Sequence, residues 1–368
     1  MSMKRYNIFF FTLARSGFGY LMRLHNIIKE CKKNNLTPLF ICGAQYIPVD
    51  IANSEYDKII LPKMSFNHFT NKFDNIEYMN IYQSLIEELL VKWQPDYFVY
   101  THIHDKLKLL ESINTKSWNN TKRILLLRDI IRSPEKLLKS RDVNDWIQKL
   151  YFFDNIFIAG CQEIFDFTKN YSLPIEFNQK IKYIGYITNT FKFQSINNKY
   201  DIVISFGSGQ HRDFHMKFVV KYLIPFFEKT QYSVIIVKGK YHQDIFENTN
   251  QKSNTIKIID FIDRDTYLSF VSNSKLNIIS GGYNSLVESL TIASKTLVLV
   301  QNELSEIVTR NKILNNLYID VKKDFNYLDL KDIIDGAIQE KRIPIQSKMK
   351  IDGTNNFFKH LMLSNSNM

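Results

Sequence analysis

Cysteine is scarce in this chain: Cys31, Cys42 and Cys161 are the only three among 368 residues. Their number is odd and their spacing brings no pair of ligands close, which argues against a disulfide framework or a cysteine zinc site and fits a reducing compartment. Long apolar runs are missing too. No stretch approaches the ~20 residues that span a bilayer, so any membrane association is expected to be peripheral. Lys4-Arg5 followed by residues 6–14 has the outline of a signal peptide. Asn7 interrupts that run, Arg15 ends it and no small-residue cleavage site follows, so it reads as a first buried strand. Signatures of nucleic-acid recognition are absent as well: the basic residues are scattered, with no helix-turn-helix, finger or RNA-binding motif, and no nucleic-acid partner is expected.

What is present is length, apolar content and positive charge. A chain of this length exceeds one ordinary core and favours two domains of roughly 150 to 200 residues each. A hydrophobic content of 45% fills two such cores. The formal net charge is +11, from 48 Lys and Arg against 37 Asp and Glu, and such a surface favours anionic partners, nucleotide diphosphates and lipid headgroups among them.

Short β-rich runs alternate with helical ones: strands at 8–13, 36–42, 97–100, 124–127 and 156–159, and helices at 21–33, 76–92 and 135–150. This alternation predicts a doubly wound parallel sheet covered by helices on both faces. A polar Asn- and Lys-bearing stretch, 188–199, reads as a linker. The scheme then repeats, with strands at 201–205, 233–237, 256–259, 276–279 and 296–300 and helices near 214–227, 266–271 and 305–317. The expected domains are 1–190 and 198–335, with a terminal helix or tail over 336–368 whose Phe357, Phe358 and Leu361 suit packing back on the first domain. Two Rossmann-like halves of this kind are expected to face a central cleft with the carboxyl ends of their strands.

The most telling segment is Ser280-Gly281-Gly282-Tyr283-Asn284-Ser285-Leu286-Val287-Glu288, set between a strand and a helix. A strand, a glycine turn and a helix start point backbone N–H groups at one spot, which suits a diphosphate, while Glu288 further along the helix suits a ribose diol. Gly207-Ser208-Gly209 occupies the first strand-to-helix turn of the second half. Gly17 and Gly19, with Arg23, occupy that of the first half. A third glycine at dinucleotide spacing and an acidic end to the second strand are lacking, so a nicotinamide site is not expected. Glu306 and Arg310 stand four apart, either as an ion pair on one helix or with Glu306 holding sugar hydroxyls. For acid–base work the first half offers His102, His104 and Asp105 beyond the strand at 97–100, and Arg128-Asp129 beyond 124–127. A histidine titrating near neutrality or a desolvated aspartate there is placed to remove a proton from a hydroxyl. No third ligand joins His102 and His104, so no metal is expected.

Taken together, these motifs resemble the predicted bacterial glycosyltransferases related to the MurG-type (family 28-like) N-acetylglucosaminyl transferases, a GT-B group. The residues that carry the resemblance are Gly17 and Gly19 with Arg23; Gln94-Pro95-Asp96; Leu127-Arg128-Asp129-Ile130 with Pro134-Glu135; Phe165-Asp166; Tyr183-Ile184-Gly185-Tyr186; and Gly281-Gly282-Tyr283-Asn284 with Glu288. The resemblance implies a nucleotide-sugar donor in the second domain, Glu288 on its ribose, and inverting transfer without a bound metal or other cofactor to a glycan, lipid-linked or small-molecule acceptor, in the cytoplasm or at the inner face of the membrane. Asp129 or His102 is then the expected base. The chain departs from the pattern at Tyr20, where relatives show histidine, and at Ile307, where relatives pair glutamate with glutamine. A nucleotide-sugar epimerase and a non-catalytic nucleotide-sugar-binding subunit are the alternative readings.

Overall fold

The computed structural model of the protein describes residues 5–13, 18–44, 47–61, 72–101, 108–139, 143–188, 199–207, 213–239, 243–246, 254–292, 294–301, 306–314, 317–339 and 349–363. The chain divides into two compact units, 1–187 together with 352–368, and 188–351.

The first unit is built on seven strands: β1 (Ile8–Leu13), β2 (Pro38–Gly43), β3 (Asp57–Leu61), β4 (Tyr97–Tyr100), β5 (Lys122–Arg128), β6 (Asn155–Ala159) and β7 (Ile181–Tyr183). They pair in the order 3-2-1-4-5-6-7, and every pairing is parallel. Parallel strands covered on both faces must be nearly all apolar, and β1, Ile-Phe-Phe-Phe-Thr-Leu, is buried at all six positions. One face stacks Phe11 on Tyr100 at 5.4 Å and Tyr100 on Phe153 at 6.3 Å. The helix α1 (Gly19–Ile28) follows β1, and the long α2 (Lys72–Trp93) leads into β4.

The second unit repeats the scheme with β8 (Ile202–Ser205), β9 (Val234–Val237), β10 (Ile256–Ile259), β11 (Leu276–Ile279), β12 (Thr296–Val300) and β13 (Leu317–Asp320). Their order is 10-9-8-11-12-13, again parallel throughout. Its core is aliphatic at the sheet, with Ile202, Ile204, Ile236, Ile278, Leu297 and Leu299 buried. The helices that position the site are α3 (Arg264–Asn273), α4 (Tyr283–Thr291) and α5 (Glu306–Ile313).

Several elements differ from the sequence reading. The strands β3, β7 and β13 were not foreseen; β13 exposes Leu317 and Tyr318, and β3 opens on Asp57-Lys58, so neither has the continuous apolar run of a central strand. The helix expected over 135–150 is two, Pro134–Leu138 and Val143–Tyr151. The helical run 213–227 contains a π turn, Val219–Leu223. Pro225 has no N–H to return to the carbonyl of Lys221, and the wider turn absorbs that loss. The run expected as one helix over 305–317 ends at Ile313 and gives way to β13. The expected linker, 188–199, lies almost wholly outside the described residues.

A last helix, α6 (Gly353–Leu363), belongs to the first unit. Phe357 packs edge-on against Phe157 at 5.5 Å and lies 6.2 Å from Phe10. The Gly353 N–H donates to the Tyr186 carbonyl at 3.1 Å, the Asn356 side chain donates to the Ile184 carbonyl at 2.9 Å, and the Tyr97 hydroxyl donates to the Leu361 carbonyl at 3.3 Å.

Candidate functional site

In the second unit the strand order reverses between β8 and β11, which are direct neighbours with Ser205 opposite Ile279. Each strand leaves the sheet two residues beyond that pair through a glycine with positive φ, Gly207 at 73° and Gly281 at 69°. The two turns therefore sit side by side at the carboxyl end of the sheet, where open α/β sheets bind ligands. The Ser280 hydroxyl donates to the Phe206 carbonyl at 3.4 Å and ties one turn to the other.

Glycine at 281 is required on two counts. Its φ is left-handed, and a Cβ there would stand 2.6 Å from Val298 Cγ1 and 2.7 Å from Ile307 Cγ2. Side chains thus close one side of the turn and leave backbone on the other. At Gly207 a Cβ would meet nothing within 4 Å, so only the backbone conformation asks for glycine.

The helix α4 starts directly from the second turn, with Gly282 as its cap residue and no side-chain cap bond. With glycine at the cap position, the positive end of the helix dipole points toward the turn. One polar link ties α4 to its strand: the Asn277 side chain donates to the Ser289 hydroxyl at 2.8 Å, which in turn donates within the helix to the Ser285 carbonyl at 2.8 Å. At 1.5 Å per residue Glu288 lies roughly 9 Å along the axis from Gly282.

Glu288 is paired with Arg264, the first residue of α3, through a hydrogen bond from the guanidinium to Oε1. The side chains are 14% and 22% accessible respectively. Burial pushes the Glu288 carboxyl above its ordinary value even though Arg264 pulls it down. Tyr267, one turn further along α3, is raised as well, first by burial and then by the charge of Glu288. Arg264 is held in place by a rigid cap: Asp263 accepts from the Thr266 N–H at 2.9 Å and from the Thr266 hydroxyl at 2.6 Å. Those bonds hold the Asp263 carboxyl below the usual range.

On the other flank α5 brings Ile307 against the Gly281 turn, with the half-buried Glu306 beside it. Arg310 is fully buried and its guanidinium lies 5.7 Å from the Tyr283 ring centre. The second unit thus gathers Gly207, Gly281, Gly282, Tyr283, Asn284, Glu288 and Glu306 around one pair of strand ends. Ser208 and Gly209 lie outside the described residues. Arg264 and Tyr267 were missed by sequence reasoning; the readable signal was an arginine in the first turn of a helix, where a cation is electrostatically out of place and needs a partner.

The first unit presents its residues differently. Gly17 and His102, like His104 and Asp105, lie outside the described residues. Gly19 opens α1, and Arg23 is buried with its guanidinium 5.2 Å from the centre of the Tyr20 ring. Asp129 is 1% exposed. One of its oxygens accepts from the Ile130 N–H at 2.7 Å and the other from the Tyr186 hydroxyl at 3.2 Å. The aspartate expected to face an acceptor is enclosed, and it holds the turn after β5 against the segment that leads out of the unit.

Among the described residues no group of three or more His, Cys, Asp and Glu is placed to hold a metal ion, and no helix is long and apolar enough to cross a membrane.

No protein-family model matches the sequence. No curated protein matches it either. Solved structures do match by shape. A glycotransferase of kitacinnamycin is similar at a TM-score of 0.64 and 10% identity, over 97% of this chain and 96% of that one. The UDP-GlcNAc 2-epimerase of Methanocaldococcus jannaschii is similar at 0.62 and 14% identity, over 98% and 100%. MnaA of S. aureus, solved with UDP, is similar at 0.67 and 10% identity, over 100% and 98%. With its two parallel sheets of seven and six strands clothed in helices, the chain has the GT-B fold that the glycotransferase and epimerase structures share.

Proposed function

We propose that the second unit binds a nucleoside diphosphate sugar, a UDP-sugar by preference, and that the protein is a glycosyltransferase moving that sugar to an acceptor hydroxyl. The observation that carries this reading is the paired glycine turn, Gly207 and Gly281, at the strand reversal, followed by the start of α4 at Gly282 and the carboxylate of Glu288. Backbone amides of the turns and the positive end of α4 receive the diphosphate, and Glu288 accepts hydrogen bonds from the ribose. The solved relatives include one bound to UDP and one named for a kitacinnamycin glycotransferase, which supports nucleotide-sugar chemistry.

In the proposed reaction the acceptor oxygen attacks the anomeric carbon as the bond from that carbon to the diphosphate oxygen breaks, with inversion and without a metal, as the MurG-type resemblance implies. Negative charge grows on the departing diphosphate, and preorganised donors at that point contribute most to rate: a single such donor is worth about 2.7–4 kcal/mol elsewhere. The acceptor proton goes to His102 in this reading, a role carried by the sequence alone, while Asp129 acts as a structural holder. The positive net charge supports an acceptor displayed at an anionic membrane surface, as in cell-surface glycan synthesis.

Thermal stabilisation by UDP, GDP, dTDP, CDP and ADP tests the donor site. A rise in melting temperature with UDP is expected, since a ligand that binds only the folded state stabilises it by mass action. Loss of that response in Glu288→Gln localises the ribose contact; no response to any nucleotide from folded protein refutes the reading. A second reading, a nucleotide-sugar epimerase, is favoured by the similarity to the M. jannaschii enzyme. Incubation of a UDP-sugar without acceptor separates the two, because only an epimerase then alters the sugar.

A further inference from the structure

The pair Arg264–Glu288 joins the first turn of α3 to the second turn of α4, with most of both side chains shut away from solvent. A guanidinium at the positive end of a helix is disfavoured by the dipole and is retained here against a carboxylate. The Asp263–Thr266 cap fixes the backbone from which Arg264 projects, so the guanidinium reaches Glu288 from a rigid base. The charged and titratable groups facing Glu288 from α3 are Arg264 and Tyr267. On α4 itself the only other ionisable side chain is Tyr283.

We propose that Arg264 is a positioning residue for the nucleotide site: it holds the Glu288 carboxylate ionised and aimed, so that the ribose contact survives into mildly acidic solution. The inference rests on the reading of Glu288 as the ribose carboxylate. Ribose hydroxyls donate to this carboxylate, and a protonated acid accepts from them poorly. Burial alone drives the buried carboxyl toward its neutral form, and Arg264 opposes that drive. Without the guanidinium only the drive toward protonation remains. Affinity should then fall as pH falls.

The test is UDP affinity of the whole chain, measured by calorimetry from about pH 6 to about pH 8.5, with each variant expressed as a ratio to the unaltered protein so that titration of UDP itself cancels. Arg264→Met is expected to bind about tenfold or more weakly at the acid end, the scale of one lost charge-assisted hydrogen bond, with the deficit shrinking as pH rises. Arg264→Lys should restore most of the affinity and the flat ratio. Glu288→Gln should be weak at every pH, and Arg264→Met combined with Glu288→Gln no weaker than Glu288→Gln alone. A deficit in Arg264→Met that is the same at every pH, losses that multiply in the double variant, or tighter binding would each overturn the proposal. Should Arg264→Met not fold, Arg264→Gln, of closer polarity, carries the same comparison. An unaltered protein that ignores UDP and the other four nucleotides, or a Glu288→Gln variant that binds normally, overturns the donor-site reading and this inference with it. A normal Glu288 effect with a pH-independent Arg264 effect overturns this inference alone.

Discussion

The two units share a strand order and finish their strands in opposite ways. At the amino ends they agree: Asp154 accepts the Arg123 N–H of the neighbouring strand at 2.8 Å, and Asp201 accepts the Ser233 N–H at 2.9 Å. At the carboxyl ends of the reversing strands they part. The first unit joins β1 to β4 by a hydroxyl pair, Thr12 to Thr101 at 2.7 Å, and encloses Asp129 beyond β5. The second unit leaves its reversing strands through two positive-φ glycines, one of them leading straight into a helix that starts at Gly282. One end of a doubly wound sheet is stitched for stability and the other is free to differ, so the chemistry diverges where the fold does not depend on it.

The comparison breaks most sharply at Phe357. Its ring fills a space in the first unit beside Phe10 and Phe157, so Phe357→Ala should cost about 3–5 kcal/mol there. Hydrogen exchange followed by mass spectrometry should show β1 and β6 losing protection while β8 and β11 keep theirs; equal loss in both sheets would contradict two separate cores. Next come the two glycines of the second unit. Gly281→Ala combines a left-handed backbone with overlaps on Val298 and Ile307 and should cost roughly 2–5 kcal/mol, whereas Gly207→Ala, with open space around it, should cost about 1–2 kcal/mol. Urea unfolding ranks the pair, and a reversed order would mean that the turn at Gly281 repacks.

The smallest effect belongs to the amino-end stitch. Burial raises the Asp201 carboxyl, but Lys275 and the Ser233 amide and hydroxyl together pull it below the ordinary range. A lowered carboxyl adds stability that is present above the ordinary aspartate value of about 4 and is lost as pH falls through the lowered one. Asp201→Asn should therefore cost about 1 kcal/mol at neutral pH and flatten the acid limb of the stability profile below about pH 4. An unchanged acid limb would place that sensitivity elsewhere.

The alternation of strands and helices, and with it both parallel sheets, was legible because buried parallel strands such as β1 and β12 carry dense apolar runs. Edge strands escaped because they are only partly buried: Tyr318 in β13 and Ile60 in β3 are exposed. Within the site, the Gly281-Gly282 turn could be read because glycine at a strand-to-helix junction has a local cause. The partner of Glu288 could not, since Arg264 stands 24 residues earlier and only the stacking of two helices joins them. Nor could the enclosure of Asp129, which depends on Tyr186, 57 residues further on.

The helix α6 carries a last consequence, which concerns time. The ribosome releases a chain from its amino end at about 5–20 residues per second, and domains fold as they emerge. The second unit is complete by residue 351, yet the first lacks the helix that covers Phe10 and Phe157 until residue 363 has been made. The unit encoded first is therefore finished last, and for the whole translation of the second unit an aromatic face of the first waits uncovered.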